Sequence, residues 1–135
     1  MMDTIVTVTD MREAARRRMP RPVFDFVDGG AFEEITLRAN TADFEKIRFR
    51  PRGLRDVAKR NLATTILGQP ASMPAVFAPI GLGGVVHGGG GEVHAARAAR
   101  VAGVPYTLAM LSICTIEELC AAAGPSWFQF CMLKD

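Results

Sequence analysis

The sequence predicts an α/β fold with a parallel sheet, on three observations. Apolar runs of strand length begin at residues 75, 105 and 127. Each run is apolar throughout, which is typical of strands buried on both faces of a parallel sheet. Segments with helical spacing separate the runs, and the intervals leave room for right-handed crossovers through a helix.

The composition excludes several classes of protein. The 135 residues are 49% hydrophobic and 22% charged, with a net charge of +2. These values indicate one globular domain and give no electrostatic reason to expect a nucleic-acid partner. Cys114, Cys120 and Cys131 form no CxxC pair, so neither a disulfide framework nor a metal site is predicted, and a reducing intracellular setting is favoured. The longest apolar run, Met73 to Val86, is broken by proline and glycine and is too short to cross a membrane. The first ten residues do not resemble a signal peptide.

The polar first half predicts short elements. Asp10 and Glu13 form a capping-box pattern that predicts a helix over Met11–Met19, ended by Pro20. The elements predicted after it are a helical turn at Val23–Val27 that stops at Gly29, a helix over Glu33–Phe44, an extended segment over Phe49–Val57, and a strand over Thr64–Leu67 with a turn at Gly68.

The second half alternates regularly between strands and helices. The predicted strands are Ala75–Ile80, Pro105–Met110 and Trp127–Leu133. A glycine-rich loop, Gly81–Gly91, leads to a helix over Glu92–Ala102 with Gly103 at its C-cap. Thr115 and Glu118 predict a capping box for a further helix that ends at Gly124. Three parallel strands leave two open edges, so we expect the front part of a larger α/β domain, or pairing with another chain.

An ordered set of motifs carries a family resemblance over about Met19 to Asp135. The motifs are Phe24–Ala31, Thr36–Asn40, Phe49–Arg52, Thr64–Gly68, Met73–Pro74, Ala78–Gly81, Gly91–Glu92, Ala96–Ala99, Ile116–Glu118, Trp127–Gln129 and Lys134–Asp135. Together they resemble the FMN-dependent 2-hydroxy-acid oxidase and dehydrogenase family, which includes glycolate oxidase, L-lactate dehydrogenase and mandelate dehydrogenase. The resemblance implies the N-terminal part of a (β/α)8 TIM barrel that holds FMN at the carboxyl ends of its strands.

The resemblance also implies a domain division and candidate site residues. Residues 1–68 would form a helical N-terminal extension and the segment leading into the barrel, and residues 69–135 its first three β/α units. The stretch Ala78, Pro79, Ile80 and Gly81 matches a strand end that lies along the flavin, and Gln129 matches a glutamine that hydrogen-bonds it. The family's base, substrate-clamping arginines and phosphate loops lie further along, so no catalytic residue is assigned in this chain.

Three residues depart from the family pattern, and each departure removes a hydroxyl. Phe26 and Cys131 stand where the family usually has substrate-binding tyrosines, and Ala109 stands where a serine commonly contacts the flavin. A hydrogen bond to a charged group contributes about 1.5–3 kcal/mol, so their loss predicts weaker carboxylate binding. Two interpretations of these departures stay open. Either the substrate differs from that of the family, or this copy of the protein is degenerating.

Several motifs admit a functional and a plainer interpretation. The Gly81–Gly91 loop could cradle phosphate, but it lacks the GxGxxG spacing and Glu92 would oppose an anion, so a flexible loop is favoured. His87 and His94 do not match the family's base, and we expect no catalytic role for them. Cys131 could be a reactive thiol, but a small buried residue is favoured. The arginines between residues 12 and 21 are best explained as a solvated helix face.

The leading hypothesis is an FMN-dependent oxidoreductase that, as part of a complete barrel, oxidises a small 2-hydroxy acid to a 2-oxo acid. A catalytically inactive truncated fragment, or an assembly module that completes a split barrel with another chain, are the alternatives. We expect no nucleic-acid partner, no integral membrane segment, and a homo-oligomer when the barrel is complete. The expected location is the cytoplasm, with the inner membrane face as a peripheral site.

Overall fold

A computed structural model describes residues 5–134 of the chain. Residues 1–4 and Asp135 lie outside the described residues. Residues 1–4 belong to the N-terminal segment that does not resemble a signal peptide, and Asp135 belongs to the last family motif. The chain forms two compact units, Met1–Val57 and Ala58–Asp135.

Three helices build the first unit. They are α1 (Val8–Arg18), α2 (Arg21–Asp28) and α3 (Ile35–Ala42), followed by a 3₁₀ turn at Asp43–Lys46. The Arg12 guanidinium on α1 pairs with the Asp28 carboxylate on α2, with Nη2 and Oδ2 2.6 Å apart. The same guanidinium lies 5.9 Å from the ring centre of Phe24, a buried residue of α2. A bidentate ion pair and a cation–π contact therefore join α1 to α2.

The start of α1 corrects the sequence prediction. Thr7 is the N-cap, and Asp10 is its capping-box partner rather than the cap itself. Thr7 Oγ1 accepts from the Asp10 N–H, and the Asp10 carboxylate accepts from the Thr7 N–H. Because Asp10 is used in this reciprocal pair, the predicted pairing with Glu13 is wrong by one turn. The predicted helices at Val23–Val27 and Glu33–Phe44 are confirmed.

The second unit begins with a β-hairpin, β1 (Thr64–Ile66) and β2 (Gln69–Ala71). Leu67 and Gly68 connect the strands with φ of 47° and 79°. Two consecutive positive φ values form the type I′ turn that matches the twist of a tight hairpin. The hairpin includes residues on both sides of the predicted division between 1–68 and 69–135, which stays a prediction.

Three parallel segments follow in chain order. Phe77 forms a parallel bridge with Tyr106, and β3 (Thr107–Leu108) pairs in parallel with β4 (Trp127–Phe128). The Phe77 N–H donates to the Pro105 carbonyl at 2.9 Å, and the Trp127 N–H donates to the Tyr106 carbonyl at 2.9 Å. Adjacent parallel strands in sequence order are what the start of a (β/α)8 barrel requires. The paired segments are shorter than the apolar runs that predicted them.

Helices α5 (Gly91–Ala102) and α6 (Ile116–Ala123) supply the two crossovers, and a short helix α4 (Gly83–Val86) lies inside the glycine-rich loop. The core packs both crossover helices against the central segment through Ala96, Ala99, Val104, Tyr106, Leu108, Leu119 and Ala123. Gly103 ends α5 with φ of 68°, as predicted. Thr115 and Glu118 form the predicted capping box of α6, and Gly124 ends it.

The outer parallel segments are not buried on both faces, contrary to the sequence prediction. Ile80 is 61% exposed and Phe130 is 69% exposed. Both lie at the margins of the sheet, where no further strand or helix among the described residues covers them. Only the central run, Pro105–Met110, is buried as predicted. It lies between its two neighbouring segments and beneath α5 and α6.

The hairpin lies at the amino ends of β3 and β4. The Trp127 indole Nε1 donates to Gln69 Oε1 at 3.1 Å, and Ser72 Oγ donates to the Ala102 carbonyl at 2.5 Å. A cavity of about 300 Å³ lies here, lined in part by Gln69, Arg100 and Ser126. In parallel β/α barrels the amino ends of the strands serve stability, and the carboxyl ends carry the chemistry. Within residues 5–134, no helix is long and apolar enough to cross a membrane.

Candidate functional site at the carboxyl edge

The three parallel segments bring the flavin candidates of the second unit to one edge of the sheet. Ala78–Gly81 follows the Phe77 bridge, Ala109 follows β3, and Gln129 follows β4. The Gln129 N–H donates to the Leu108 carbonyl at 2.9 Å, which continues the pairing to the strand ends. The Leu82 N–H donates to the Leu111 carbonyl at 2.8 Å, which joins the loops after the first and second segments.

The candidates differ in what they present at this edge. Ala78 and Gln129 are exposed, and Pro79 and Gly81 are half-buried. The Gln129 side-chain amide makes no hydrogen bond to another described residue, so both its donor and its acceptor are available. Ala109, by contrast, is only 2% exposed and offers no open side-chain surface.

The two substrate candidates lie in different units. Cys131 follows β4 by three residues and is exposed, so the expectation of a small buried residue is wrong. It lies beyond the paired part of β4, where the described chain provides no covering layer. Phe26 is on α2 of the first unit and is 62% exposed, two residues after the buried Phe24. An aromatic side chain in that position is free to contact a ligand or further protein.

The glycine-rich loop is filled by a carboxylate rather than open to phosphate. Glu92, in the first turn of α5, is 2% exposed. A Cβ added at Gly83 would lie 3.3 Å from the Glu92 carboxyl carbon, and one added at Gly84 would lie 3.0 Å from Glu92 Oε2. A Cβ at Gly91 would collide with the Gly83 carbonyl. The two ends of the loop are therefore packed around Glu92, and the helix N-terminus already carries an anion, whereas the flexibility predicted for the loop stays a prediction.

Glu92 also bonds outside its own loop. Its Oε1 accepts from the Ile113 N–H at 3.0 Å, whereas its buried Oε2 accepts no hydrogen bond. Burial raises the pKa of Glu92, but the hydrogen bond from the Ile113 N–H, together with the nearby backbone N–H dipoles of Glu92 itself and Gly84, outweighs that effect and lowers the pKa below its ordinary value. The sequence alone indicates for Glu92 only that its charge would oppose a phosphate in the loop. The signal that could have identified its role is a glutamate in a run of glycines at a helix start.

Tyr106 and Cys114 lie within the electrostatic reach of this carboxylate. Burial first, and the Glu92 charge second, raise the pKa of the Tyr106 hydroxyl. The same two causes raise the pKa of the Cys114 thiol. One anion is thus kept ionised by backbone donors while its two neighbours are kept neutral. This arrangement gives no activated nucleophile, because activation needs a lowered thiol pKa.

His87 and His94 lie together at the surface. Their ring centres are 5.4 Å apart, with an interplanar angle of 73°, and both residues are exposed. An exposed imidazole pair without an orienting carboxylate lacks the geometry of a general base. Among the described residues, no group of three or more potential metal ligands occurs.

The edge fits the ring end of a flavin. A flavin presents a flat face and a pyrimidine edge that both donates and accepts hydrogen bonds. Here Ala78 and Gly81 leave peptide groups accessible beside the exposed Ile80 side chain, and the Gln129 amide is unpaired within the described chain. The phosphate end has no matching group in the glycine-rich loop, because Glu92 fills it. Residues 78–81 and 129 would therefore hold the ring, and the phosphate would need contacts elsewhere.

Comparison with known proteins gives consistent results. The family model described as FMN-dependent dehydrogenase matches residues 15–135. The L-lactate dehydrogenase of Yersinia pestis (strain Pestoides F) is 48% identical over 94% of this chain and 33% of its own length. The crystal structure of mandelate oxidase is 39% identical, with a TM-score of 0.88 over 98% of this chain and 38% of that chain. A soluble mutant of the membrane-associated (S)-mandelate dehydrogenase from Pseudomonas putida is 38% identical, with a TM-score of 0.87 over 94% of this chain and 36% of that chain.

The match covers most of this chain but a minor part of each relative. The chain spans about a third of the length of the curated relatives it matches. High structural similarity over that third confirms the predicted fold, the N-terminal part of a (β/α)8 barrel with a short helical extension before it.

Proposed function

The chain belongs to the FMN-dependent dehydrogenase family, and from that premise we propose that it supplies the first part of an enzyme that oxidises a 2-hydroxy acid to a 2-oxo acid. The observation that carries the proposal is the meeting of Ala78–Gly81 and Gln129 at one carboxyl edge in a chain matched to the family over residues 15–135. In this family, bound FMN takes up the two electrons that leave the substrate.

The chain's own residues would bind and orient the flavin ring. The peptide groups of Ala78, Pro79, Ile80 and Gly81 would lie along its face, and the Gln129 amide would donate to and accept from its pyrimidine edge. Ala109 would contribute through its backbone, since its methyl group is buried. These residues hold the cofactor in place, and we assign no proton transfer to any of them.

The experiment that tests the cofactor proposal is an FMN titration followed by quenching of flavin fluorescence. Replacement of Gln129 by leucine removes both hydrogen-bonding groups and is expected to weaken FMN binding about tenfold. The chain's other glutamine, Gln69, lies at the amino end of the sheet, and Gln69→Leu is the matched control. The titration is made on the complete enzyme, and a complete wild-type enzyme that takes up no FMN would contradict the proposed function.

For the substrate, we propose a small 2-hydroxy acid whose carboxylate is held less tightly than in relatives that carry tyrosines at the two departing positions. Support comes from the exposed side chains of Phe26 and Cys131, which carry no hydroxyl. In the complete enzyme, Phe26→Tyr or Cys131→Tyr is expected to lower KM for lactate or mandelate with little change in kcat. An increase in KM for both acids would count against these two assignments.

A second candidate is an assembly module that completes a split barrel with another chain. The uncovered margin of the sheet favours it: Phe128, Phe130, Met132 and Leu133 are all exposed, and no strand among the described residues pairs with the outer edge of β4. Exposed apolar edges of this kind invite strand pairing. Co-expression with the remaining two thirds of a relative, followed by size-exclusion chromatography, should give a stable FMN-containing complex. Separate elution of the two chains would exclude it, and an inactive fragment would then be the remaining alternative.

The location is proposed as cytoplasmic, with peripheral contact to the inner membrane face. Support comes from the membrane-associated (S)-mandelate dehydrogenase that this chain resembles. Cell fractionation should recover the protein in the soluble fraction or release it from membranes with high salt. We also propose that the complete barrel forms a homo-oligomer, which light scattering would measure.

A further inference from the structure

We propose that Glu92 is a positioning residue that sets the spacing of the two loops flanking the flavin edge. The proposal rests on the proposed function, because the purpose of that spacing is to hold the flavin ring. Glu92 belongs to neither loop tip and would not touch the cofactor itself. It acts through the backbone of Ile113 and through the glycines at positions 83 and 84.

The contacts of Glu92 connect the two loops directly. The first loop leaves the Ala78–Gly81 stretch and continues through Gly83 and Gly84, which pack against the carboxyl group. The second loop leaves Ala109, and its Ile113 N–H donates to Glu92 Oε1 at 3.0 Å across 21 residues of sequence. The Leu82–Leu111 backbone bond lies between these contacts and the strand ends. One carboxylate therefore links both loops at a point just behind the candidate flavin contacts.

The lack of a side chain at Gly84 shows how closely the loops approach each other. A Cβ at Gly84 would lie 2.8 Å from the Ile113 Cβ and 3.0 Å from Glu92 Oε2. Position 84 therefore has no room for a side chain, and only glycine permits this close arrangement of the two loops. Glu92 then selects that arrangement by a directional hydrogen bond, which steric contact alone does not provide.

A purely local cap would look different, and α6 provides the example. Glu118 bonds within its own first turn, to the Thr115 N–H at 2.9 Å, and both residues are exposed. Glu92 is buried, bonds to a different loop, and keeps Oε2 without a hydrogen-bond partner. A buried carboxylate that bonds from one loop to another fixes the position of both loops, which an exposed local cap does not do.

The geometry of the loops matters because cofactor binding is sensitive to small displacements. Binding groups must be held within roughly 0.5 Å of their productive positions, and supporting contacts behind them provide that precision. Ala78–Gly81 and Ala109 are each continuous with a loop that Glu92 holds. A change in the reach of the carboxylate is therefore expected to move the flavin contacts without removing any of them.

The test separates reach from charge with two variants. Glu92→Asp keeps the charge but shortens the side chain by one methylene, so that it no longer reaches Ile113. Glu92→Gln keeps the length and an acceptor oxygen but loses the charge. Glu118→Asp is the matched control, because it shortens a glutamate in the first turn of the other crossover helix. Each variant is measured by hydrogen exchange at the Ile113 amide and by FMN titration, with the Leu119 amide in the core as the reference for global unfolding.

A positioning role predicts that reach decides both measurements. In Glu92→Asp, exchange at Ile113 should increase about ten- to hundredfold relative to Leu119, and the FMN dissociation constant should rise at least tenfold. In Glu92→Gln, both quantities should stay within about fivefold of wild type. Glu118→Asp should leave both unchanged. The absorption spectrum of bound FMN should be perturbed only in Glu92→Asp.

Three results would overturn the proposal. One is unchanged FMN affinity in Glu92→Asp while Ile113 loses its protection, because the loop contact would then not serve the cofactor. Another is an equal loss of FMN affinity in Asp and Gln variants with Ile113 still protected, which would assign the role to charge. The third is an equal effect of Glu118→Asp. These measurements use the complete enzyme. If the complete wild-type enzyme binds no FMN, the proposed function fails and the positioning role fails with it, whereas the Glu92–Ile113 contact is still measured by exchange.

Discussion

The two strand-to-helix loops of the second unit begin their helices in opposite ways. The loop before α6 uses Thr115 and Glu118, both exposed, in a box closed within four residues. The loop before α5 has no side-chain cap, a left-handed glycine at its N-cap position, and a buried glutamate that bonds to the other loop. Local bonding makes a helix start independent of its surroundings, whereas the α5 start depends on the position of a neighbouring element.

The two helix starts are therefore stabilised by different kinds of interaction. The α6 cap contributes a typical helix-capping free energy and should respond to substitution as any exposed cap does. The α5 start is part of the packed interior, so substitutions there combine lost hydrogen bonding with altered packing.

The largest effect is expected from Glu92→Ala. It removes the acceptor for the Ile113 N–H and leaves a cavity beside Gly83 and Gly84, so the free energy of unfolding should fall by about 2–5 kcal/mol. Urea unfolding followed by circular dichroism measures it. Glu118→Ala is the control, with an expected loss of about 1 kcal/mol. Equal losses in the two variants would remove the distinction between the loops.

The next effect is expected from Gly84→Ala. The added methyl group would lie 2.8 Å from the Ile113 Cβ, so the loops must separate, at about 1–3 kcal/mol. Gly88→Ala, in the same loop but with nothing within 4 Å of the new methyl group, should change stability by less than about 0.5 kcal/mol. Thermal unfolding compares the pair. A tolerated Gly84→Ala would show that the loop approach is loose.

A smaller effect is expected from Thr115→Ala. The substitution removes the acceptor of the Glu118 N–H and should cost about 1 kcal/mol, within the range of exposed helix caps. Serine at this position should restore most of the loss because it keeps the hydroxyl. A loss above about 3 kcal/mol would show that this cap is also coupled to tertiary packing.

The smallest effect is expected from pH. The folded pKa of Glu92 lies below its ordinary value of 4.5, so its contribution is present above pH 4.5 and is lost as pH falls through the folded pKa. The folded pKa of Cys114 is raised above its ordinary value of 9.0, so that contribution is present below pH 9.0 and is lost as pH rises through the folded pKa. Unfolding across the pH range should show both limbs. Glu92→Gln should flatten the acid limb and, because the Glu92 charge also raises the pKa of Cys114, should weaken the alkaline limb as well.

The elements defined by short-range chemistry were predictable from the sequence. The Thr115–Glu118 box, the Gly103 end of α5 and the turn at Gly68 each depend on residues within a few positions of one another. Where two local patterns overlapped, the prediction failed: Thr7–Asp10 and Asp10–Glu13 both fit a capping-box spacing, and the structure forms the first.

The parts of the site that depend on contacts between distant residues were not predictable. The sequence placed Ala78–Gly81 and Gln129 at strand ends because parallel strands share a carboxyl edge. It did not reveal that Glu92 fills the glycine-rich loop, since the Ile113 partner is 21 residues away. Nor did it reveal the exposure of Cys131, because an apolar run indicates burial without indicating which element would cover it.

The bond between Gln69 and Trp127 spans 58 residues, and this sets an order in time. At about 5–20 residues per second, roughly 3–12 seconds of synthesis separate the two side chains. The Ser72 contact with the end of α5 is available after only 30 residues, so the hairpin can attach to that helix first. During translation, the contacts of the hairpin at the amino end of the sheet would therefore form in two stages. The Gln69–Trp127 hydrogen bond would form only after the third strand has emerged.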